Sequence, residues 1–354
     1  MKRRYAILAP DEFIDNAKTA HGVIAYGADE TVAVIDASCA GKTVRDVLPH
    51  LRSDAPIVAT VAEALRYQPS SLLIGTAPQG GSLPPSWRSE IRRALAEGLE
   101  IVSGLHDMLA DDAEFAELAR AAGTTIWDVR RPPAVPLFSG AAYSVQSPIL
   151  LMVGNDCAVG KMTAALELAR AAEKHAMRAA FVPTGQTGIM IAGWGIAIDR
   201  VICDFASGAA EALVRYAAEG TPDIIFVEGQ GALNHPAYAQ VTLALMYGCA
   251  PDALVLVCDP VRKTVSGLTT PTLGYRDCIR LHEAVLAAVK PARVIGIALN
   301  TRGLSDEAAR AEIDRAQTET TLPVDDVVRF GADAFYAAIA PAIVKSQPLR
   351  MASK

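Results

Sequence analysis

Short, almost wholly apolar runs alternate with longer segments in which apolar residues recur at helical spacing. In the first part of the chain the runs fall at 4–8, 22–26, 32–35, 56–59, 71–74, 100–102 and 125–129, and they predict strands. Helical periodicity fills 42–51, 61–67, 86–97 and 112–122. The alternation resumes further on, with strands expected at 149–153, 179–182, 200–203, 224–227, 253–257 and 294–299. Helices are expected there at 161–175, 207–219, 275–289, 305–318 and 333–343. Between the two halves, Pro132, Pro133 and Pro136 stop any helix and favour extended chain. The pattern predicts two α/β domains, 1–138 and 139–354. Nearly uniform apolar strands mean burial on both faces, as in a doubly wound parallel sheet, and ligands then sit at the carboxyl ends of the strands.

The first strand end of the second half is the most informative. Residues 148–154 (PILLMVG) lead through Asn155, Asp156, Cys157, Ala158, Val159 and Gly160 into Lys161, Met162 and Thr163 at the head of a helical pattern. A strand, a glycine-bounded turn and a lysine opening a helix form a phosphate loop: turn amides, helix dipole and lysine all favour an anion. The spacing departs from G-x-x-x-x-G-K-[ST], because five residues separate Gly154 from Gly160 and Met162 follows the lysine. Met162 offers no hydroxyl for Mg²⁺, and Thr163 lies about 100° further round the helix. Phosphate binding is therefore expected, with Mg-nucleotide hydrolysis left open.

Other strand ends carry further chemistry. Thr184, Gly185, Gln186 and Thr187 stand in FVPTGQTG, where hydroxyls and backbone amides around 185–188 could face a substrate or a developing oxyanion. Asp204 is expected to leave the strand at 200–203. Glu228 closes an apolar strand before Gly229 and Gly231, so it reads as a metal ligand or a base. His235 follows as a second proton-transfer candidate. Asp259, Arg262 and Lys263 cluster after the next strand, and the two cations suit substrate carboxylates, as does Arg130. Asn300 follows the strand at 294–299 and could read an adenine edge. In the first half, the Gly- and Pro-rich segment 75–87, His106 and Asp107 are candidates for a cleft wall.

Composition narrows the function classes. The 354 residues are 51% hydrophobic and 20% charged, with a formal net charge of −6, which argues against general nucleic-acid or membrane-surface binding. Any anion must be held by a local positive site. The basic start MKRR is followed too soon by Asp11 and Glu12 for a signal peptide, and no uncharged span approaches bilayer length. Six scattered cysteines without C-x-x-C read as reduced thiols in a cytoplasmic protein, and six histidines without metal spacing predict no metal site. So apolar a chain suits a homo-oligomer.

Several of these motifs together resemble the dethiobiotin-synthetase type of P-loop domain: GNDCAVGK, PTGQTG, EGQG and Asn300. A wider resemblance spans nearly the whole chain. GTAPQGGSLPPSWR, SGLHDML, GNDCAVGKMTAALEL, PTGQTGIMIAGWGIAID, DFASGAAE and EGQGALNHP are similar to the D-glutamate N-acetyltransferase family. That resemblance implies a Rossmann-like N-terminal domain, a dethiobiotin-synthetase-like P-loop domain and acetyl transfer from acetyl-CoA to the amine of D-glutamate, in D-amino-acid catabolism. It gives the loop a use, holding CoA phosphates through residues 155–163 with adenine near Asn300. Glu228 or His235 would then be the base, with Thr184–Thr187, Arg130 and Lys263 around the substrate. The alternative is an ATP-Mg-dependent ligase or kinase, in which Thr163, Asp204 and Glu228 hold Mg²⁺.

Overall fold

The computed structural model describes residues 2–76, 78 and 80–345. Ala77 and Gln79 of the 75–87 segment lie outside the described residues. The chain forms two compact units, Met1–Pro132 with Gln186–Ala197, and Pro133–Gly185 with Ile198–Lys354.

The first unit holds β1 (Arg4–Leu8), α1 (Lys18–Tyr26), β2 (Glu30–Ile35), α2 (Val44–Val47), β3 (Ile57–Val58) and α3 (Val61–Ala64). It continues with β4 (Ser71–Ile74), α4 (Arg88–Ala96), β5 (Glu100–Ser103), α5 (Ala113–Ala122) and β6 (Ile126–Asp128). The strands form one sheet in the order β3-β2-β1-β4-β5-β6, every neighbouring pair parallel. Alternate residues of β1 enter different cores: Tyr5 and Ile7 pack on one face, Ala6 and Leu8 on the other. Both faces are therefore apolar, as the uniform strand pattern requires. Local signals set the helix ends. Asp112 accepts from the amides of Glu114 and Phe115 at the start of α5, and Gly123 closes it in the left-handed region.

The second unit holds β7 (Ile149–Gly154), α6 (Lys161–Lys174) and β8 (Ala179–Val182). Helix α7 (Gln186–Ala192) comes next in the chain but belongs to the first unit, where Ile189 and Met190 join the core around Tyr5 and Ile7. The second unit resumes with α8 (Cys203–Glu219), β9 (Ile224–Val227), α9 (Ala239–Gly248), β10 (Ala253–Cys258), α10 (Tyr275–Ala287), β11 (Arg293–Leu299), α11 (Asp306–Thr320), β12 (Val324–Asp325) and α12 (Asp333–Lys345). Its sheet runs β12-β11-β10-β7-β9-β8, again all parallel. Leu150 and Met152 of β7 pack with Leu168 of α6 and with Phe335 and Ile339 of α12. Strand β7 thus lies in the sheet interior, and its carboxyl end has the ends of β10 and β9 on either side.

The sequence-based boundary at 138/139 and the observed division differ. Residues 133–142 lie on α8: a Cβ on Gly208 would come within 1.9 Å of Pro136 O, and Ser139 donates to Glu211 through its amide (2.9 Å) and hydroxyl (2.7 Å). Two expected strands are not strands: one is helical and the other mostly irregular. Residues 22–26 form the end of α1, because a five-residue apolar run does not separate the two periodicities. Residues 200–203 fall between a 3₁₀ turn (Ile198–Arg200) and the first residue of α8, with Ile202 72% exposed. Helix α9 escaped prediction because it is apolar nearly all round, which erases the amphipathic period.

Candidate functional site

Five strand ends of the second unit supply the site. After β7 the chain turns through residues 155–160, with Ala158 at φ +54° and Gly160 at φ +108°. That left-handed backbone at Gly160 sets the first turn of α6. Among the described residues the backbone N–H groups from Ala158 to Thr163 have no hydrogen-bond acceptor. Consecutive amides, pointing from a turn and a helix N-terminus, are what an anion uses. Lys161 is buried, its Nζ donating to Asp156 O at 2.7 Å. Burial pulls its pKa down to about 8. A Cβ on Gly154 would come within 3.1 Å of Lys161 Nζ, so glycine leaves room for the lysine to fold back.

Asp156 is fully buried and fastens the loop to the segment after β10. Its Oδ2 accepts from Arg262 (2.7 Å) and the Ser266 amide (2.8 Å), and Oδ1 accepts from the Cys157 amide (2.7 Å). Arg262 also donates to Cys157 O at 2.7 Å. Arg262 is therefore a loop clamp. Lys263, the companion cation expected near substrate, has an exposed side chain. Arg262 and Thr264–Thr269 also line an open cleft of about 700 Å³. Asn300 donates to Val159 O at 3.2 Å and accepts from the Arg302 amide at 3.2 Å. Both functions of its amide bind protein, so it braces the loop.

Glu228 stands just past β9 and is buried, and Oε2 accepts from the amides of Thr184 (2.9 Å) and Gly185 (3.2 Å). Those bonds favour the carboxylate, but burial outweighs them and lifts the pKa to about 7. The Gly185 amide is consequently spent on Glu228 and is no oxyanion donor. Gln230 donates to Thr184 Oγ1 (3.2 Å) and to Thr184 O, and Thr242 donates to Gln230 O (2.7 Å), which fixes the turn around the carboxylate. Gly229 is dictated by packing: a Cβ there would meet Met152 O at 1.7 Å and Lys161 Cδ at 3.0 Å. Glu228 and Lys161 thus belong to one small region.

The remaining candidates are held by other partners or exposed. His235 is buried, with Nδ1 accepting from the Ala237 amide (3.2 Å) and Nε2 3.0 Å from Ser266 O. That pattern places its proton on Nε2, directed at a carbonyl, and makes His235 a brace. Asp156, Cys157 and His235 bring ligand atoms within 4.8 Å of one another, but Arg262 already neutralises the carboxylate. Burial also raises the Cys157 pKa, which keeps its thiol protonated. Asp204, expected at a strand end, is exposed in the first turn of α8 and makes no hydrogen bond to the loop among the described residues. Gln186 and Thr187 lie in the first unit: Gln186 Oε1 accepts from Arg130 at 2.7 Å, and the Thr187 and Thr19 hydroxyls are 2.9 Å apart. Arg130 also donates to Gly104 O at 2.6 Å, so its guanidinium is engaged within the protein. The sequence reading missed Asn234, whose Nδ2 donates to Asn155 O at 2.9 Å. Its signal was adjacency to His235 in the turn that follows Glu228.

Comparison with known proteins agrees with this architecture. Residues 37–132 match a Rossmann-like domain of unknown function (DUF1611_N), and residues 136–336 match its P-loop counterpart (DUF1611_C). The chain is 38% identical over 281 residues to a D-glutamate N-acetyltransferase from Pseudoalteromonas sp, covering 78% of this chain and 83% of that protein. It is 37% identical over 284 residues to a D-glutamate N-acetyltransferase from Tritonibacter scottomollicae, covering 79% and 84%. A crystal structure of a DUF1611 family protein from Anabaena variabilis matches with a TM-score of 0.91 and 40% identity, covering 96% of this chain and all (100%) of that one. No helix among the described residues is long and apolar enough to cross a membrane. The chain belongs to the DUF1611 family and, by its likeness to them, to the family of the D-glutamate N-acetyltransferases.

Proposed function

We propose that this protein transfers an acetyl group from acetyl-CoA to the amine of D-glutamate. The observation that carries the chemistry is a buried carboxyl, Glu228, with a pKa of about 7, in the same region as Lys161 and the bare amides from Ala158 to Thr163. An amino acid arrives with its amine protonated, so attack on a thioester requires a base tuned near neutrality. Glu228 takes one proton from the ammonium. The nitrogen lone pair attacks the acetyl carbon, and an N–C bond forms. The tetrahedral oxyanion then collapses, the C–S bond breaks, and the departing CoA thiolate takes the second nitrogen proton. The proton on Glu228 returns to water.

The relatives' names support this reading of the transferred group and the acceptor, and Met162 supports it against nucleotide hydrolysis by withholding the hydroxyl that would hold Mg²⁺. The test is Glu228→Gln. It preserves size and hydrogen bonding while removing the base, so kcat should fall about 10²–10⁴-fold with substrate binding largely kept. Turnover within about twofold of the parent would remove Glu228 from this role.

A further inference from the structure

Two observations point past a phosphate as the occupant of the loop. Asn155 Oδ1 and Asn234 Oδ1 are both buried with no hydrogen-bond partner, and Asn155 as a residue is only 4% exposed. The bond from Asn234 Nδ2 to Asn155 O fixes which end of the Asn234 amide is left over: the carbonyl, an acceptor. Buried acceptors without donors are costly, and an ionised phosphate ester brings no N–H to relieve them. A primary ammonium brings three. The second observation is the placement of Glu228. Gly229 packs directly on Met152 at the end of β7 and on the Lys161 stem. A base must come within hydrogen-bond reach of the proton it removes. If a pyrophosphate lay on the amides from Ala158 to Thr163, an entire extended pantetheine arm would separate Glu228 from the thioester. A molecule with a carboxylate and an ammonium a few bonds apart matches both the bare amides and the unsatisfied acceptors.

We propose that the loop from Asn155 to Thr163, together with Asn234, is the subsite of the amine acceptor: the amides and Lys161 hold a carboxylate, and the Asn155 and Asn234 carbonyls receive the ammonium next to Glu228. The phosphates of the donor then lie elsewhere, and only the acetyl thioester reaches the loop. Naming the acceptor as an amino dicarboxylate rests on the acetyl-transfer reading, whereas the pairing of carboxylate and ammonium rests on the geometry. The two carbonyls are closed over in the conformation described, so ligand entry displaces what covers them while the bond from Asn234 Nδ2 to Asn155 O is kept.

The experiment uses the full chain, with Lys161→Met and Asn234→Ala as variants. Calorimetry with D-glutamate and with glutarate, a dicarboxylate without the amine, reads the subsite without turnover. Lys161→Met should weaken both ligands about 10-fold or more, and Asn234→Ala should weaken D-glutamate alone. In kinetics, Lys161→Met should raise KM for D-glutamate and leave KM for acetyl-CoA within about 2-fold, with the same loss when S-acetyl-N-acetylcysteamine, which has no phosphate, replaces acetyl-CoA. The subsite is overturned if the loss falls on KM for acetyl-CoA and disappears with the short donor. It is equally overturned if pyrophosphate competes with CoA but not with D-glutamate, or if a stoichiometric Zn²⁺ at Asp156, Cys157 and His235 blocks amino-acid binding. Ligand binding with the expected variant pattern but no acetyl transfer would reject the proposed reaction and leave the subsite standing.

Discussion

Glu228 and Lys161 are two buried ionisable groups shifted toward each other. Burial raises the carboxyl to about 7 and lowers the ammonium to about 8. Catalysis needs the first ionised and the second charged. Activity should therefore rise with pH through about 7 and fall through about 8, giving a narrow bell in kcat/KM whose rising limb is absent in Glu228→Gln. Stability follows its own sign. The folded state holds the Glu228 proton that an unfolded chain has released by its ordinary value of 4.5, so this group's contribution is full below that value and is lost as pH rises through about 7. Glu228→Gln should thus be more stable than the parent at pH 8, by about 1–3 kcal/mol, and nearly equal to it at pH 4. Chemical denaturation at both pH values checks this. Most residues singled out in the sequence do lie in one region, because a strand end announces its own position in an α/β sheet. What side chains do there depends on partners distant in sequence. His235, Asn300 and Arg130 all looked available, yet each is bound to protein: His235 to Ser266 O, Asn300 to Val159 O, Arg130 to Gln186.

At the level of elements, the site is a set of turns held by close backbone approaches. The tightest is Gly229, whose Cα faces Met152 O at the end of β7. Gly229→Ala forces a contact of 1.7 Å unless strands β7 and β9 move, and should destabilise the protein by about 3 kcal/mol or more. A shift in the denaturation midpoint of less than about 0.5 kcal/mol would mean the turn adapts. The elements most legible in the sequence were mostly apolar strands: β1, β4, β8 and β9 occupy the residues their patterns predict. Less legible were short runs such as 22–26 and 200–203, where β-branched residues suggested strands. In the first, residues Thr19, Ala20, Gly22 and Val23 bury one face of a helix, and Gly75 lies directly against Ala20. Tertiary packing of that kind overrides local propensity.

At the level of the molecule, the alternation of strands and helices gave both sheets and their parallel sense, but not the path of residues 186–197. That segment carries Ile189, Met190 and Ala197 into the first unit's core. A fragment spanning 133–354 should therefore expose this apolar surface and aggregate on expression, while the full chain does not. Recovery of a soluble, cooperatively folding fragment would show that the segment can be accommodated without its first-unit partners. Of the six cysteines, four are buried and two are more accessible. One measurement reads the acetyl transfer most directly: the stoichiometry of free CoA and N-acetyl-D-glutamate formed from acetyl-CoA and D-glutamate in the presence of a metal chelator, for the parent and for Glu228→Gln. The prediction is one product molecule for each thiol released, with turnover lost in the variant. Absence of N-acetylated product, or a requirement for ATP and Mg²⁺ with release of inorganic phosphate, would contradict it.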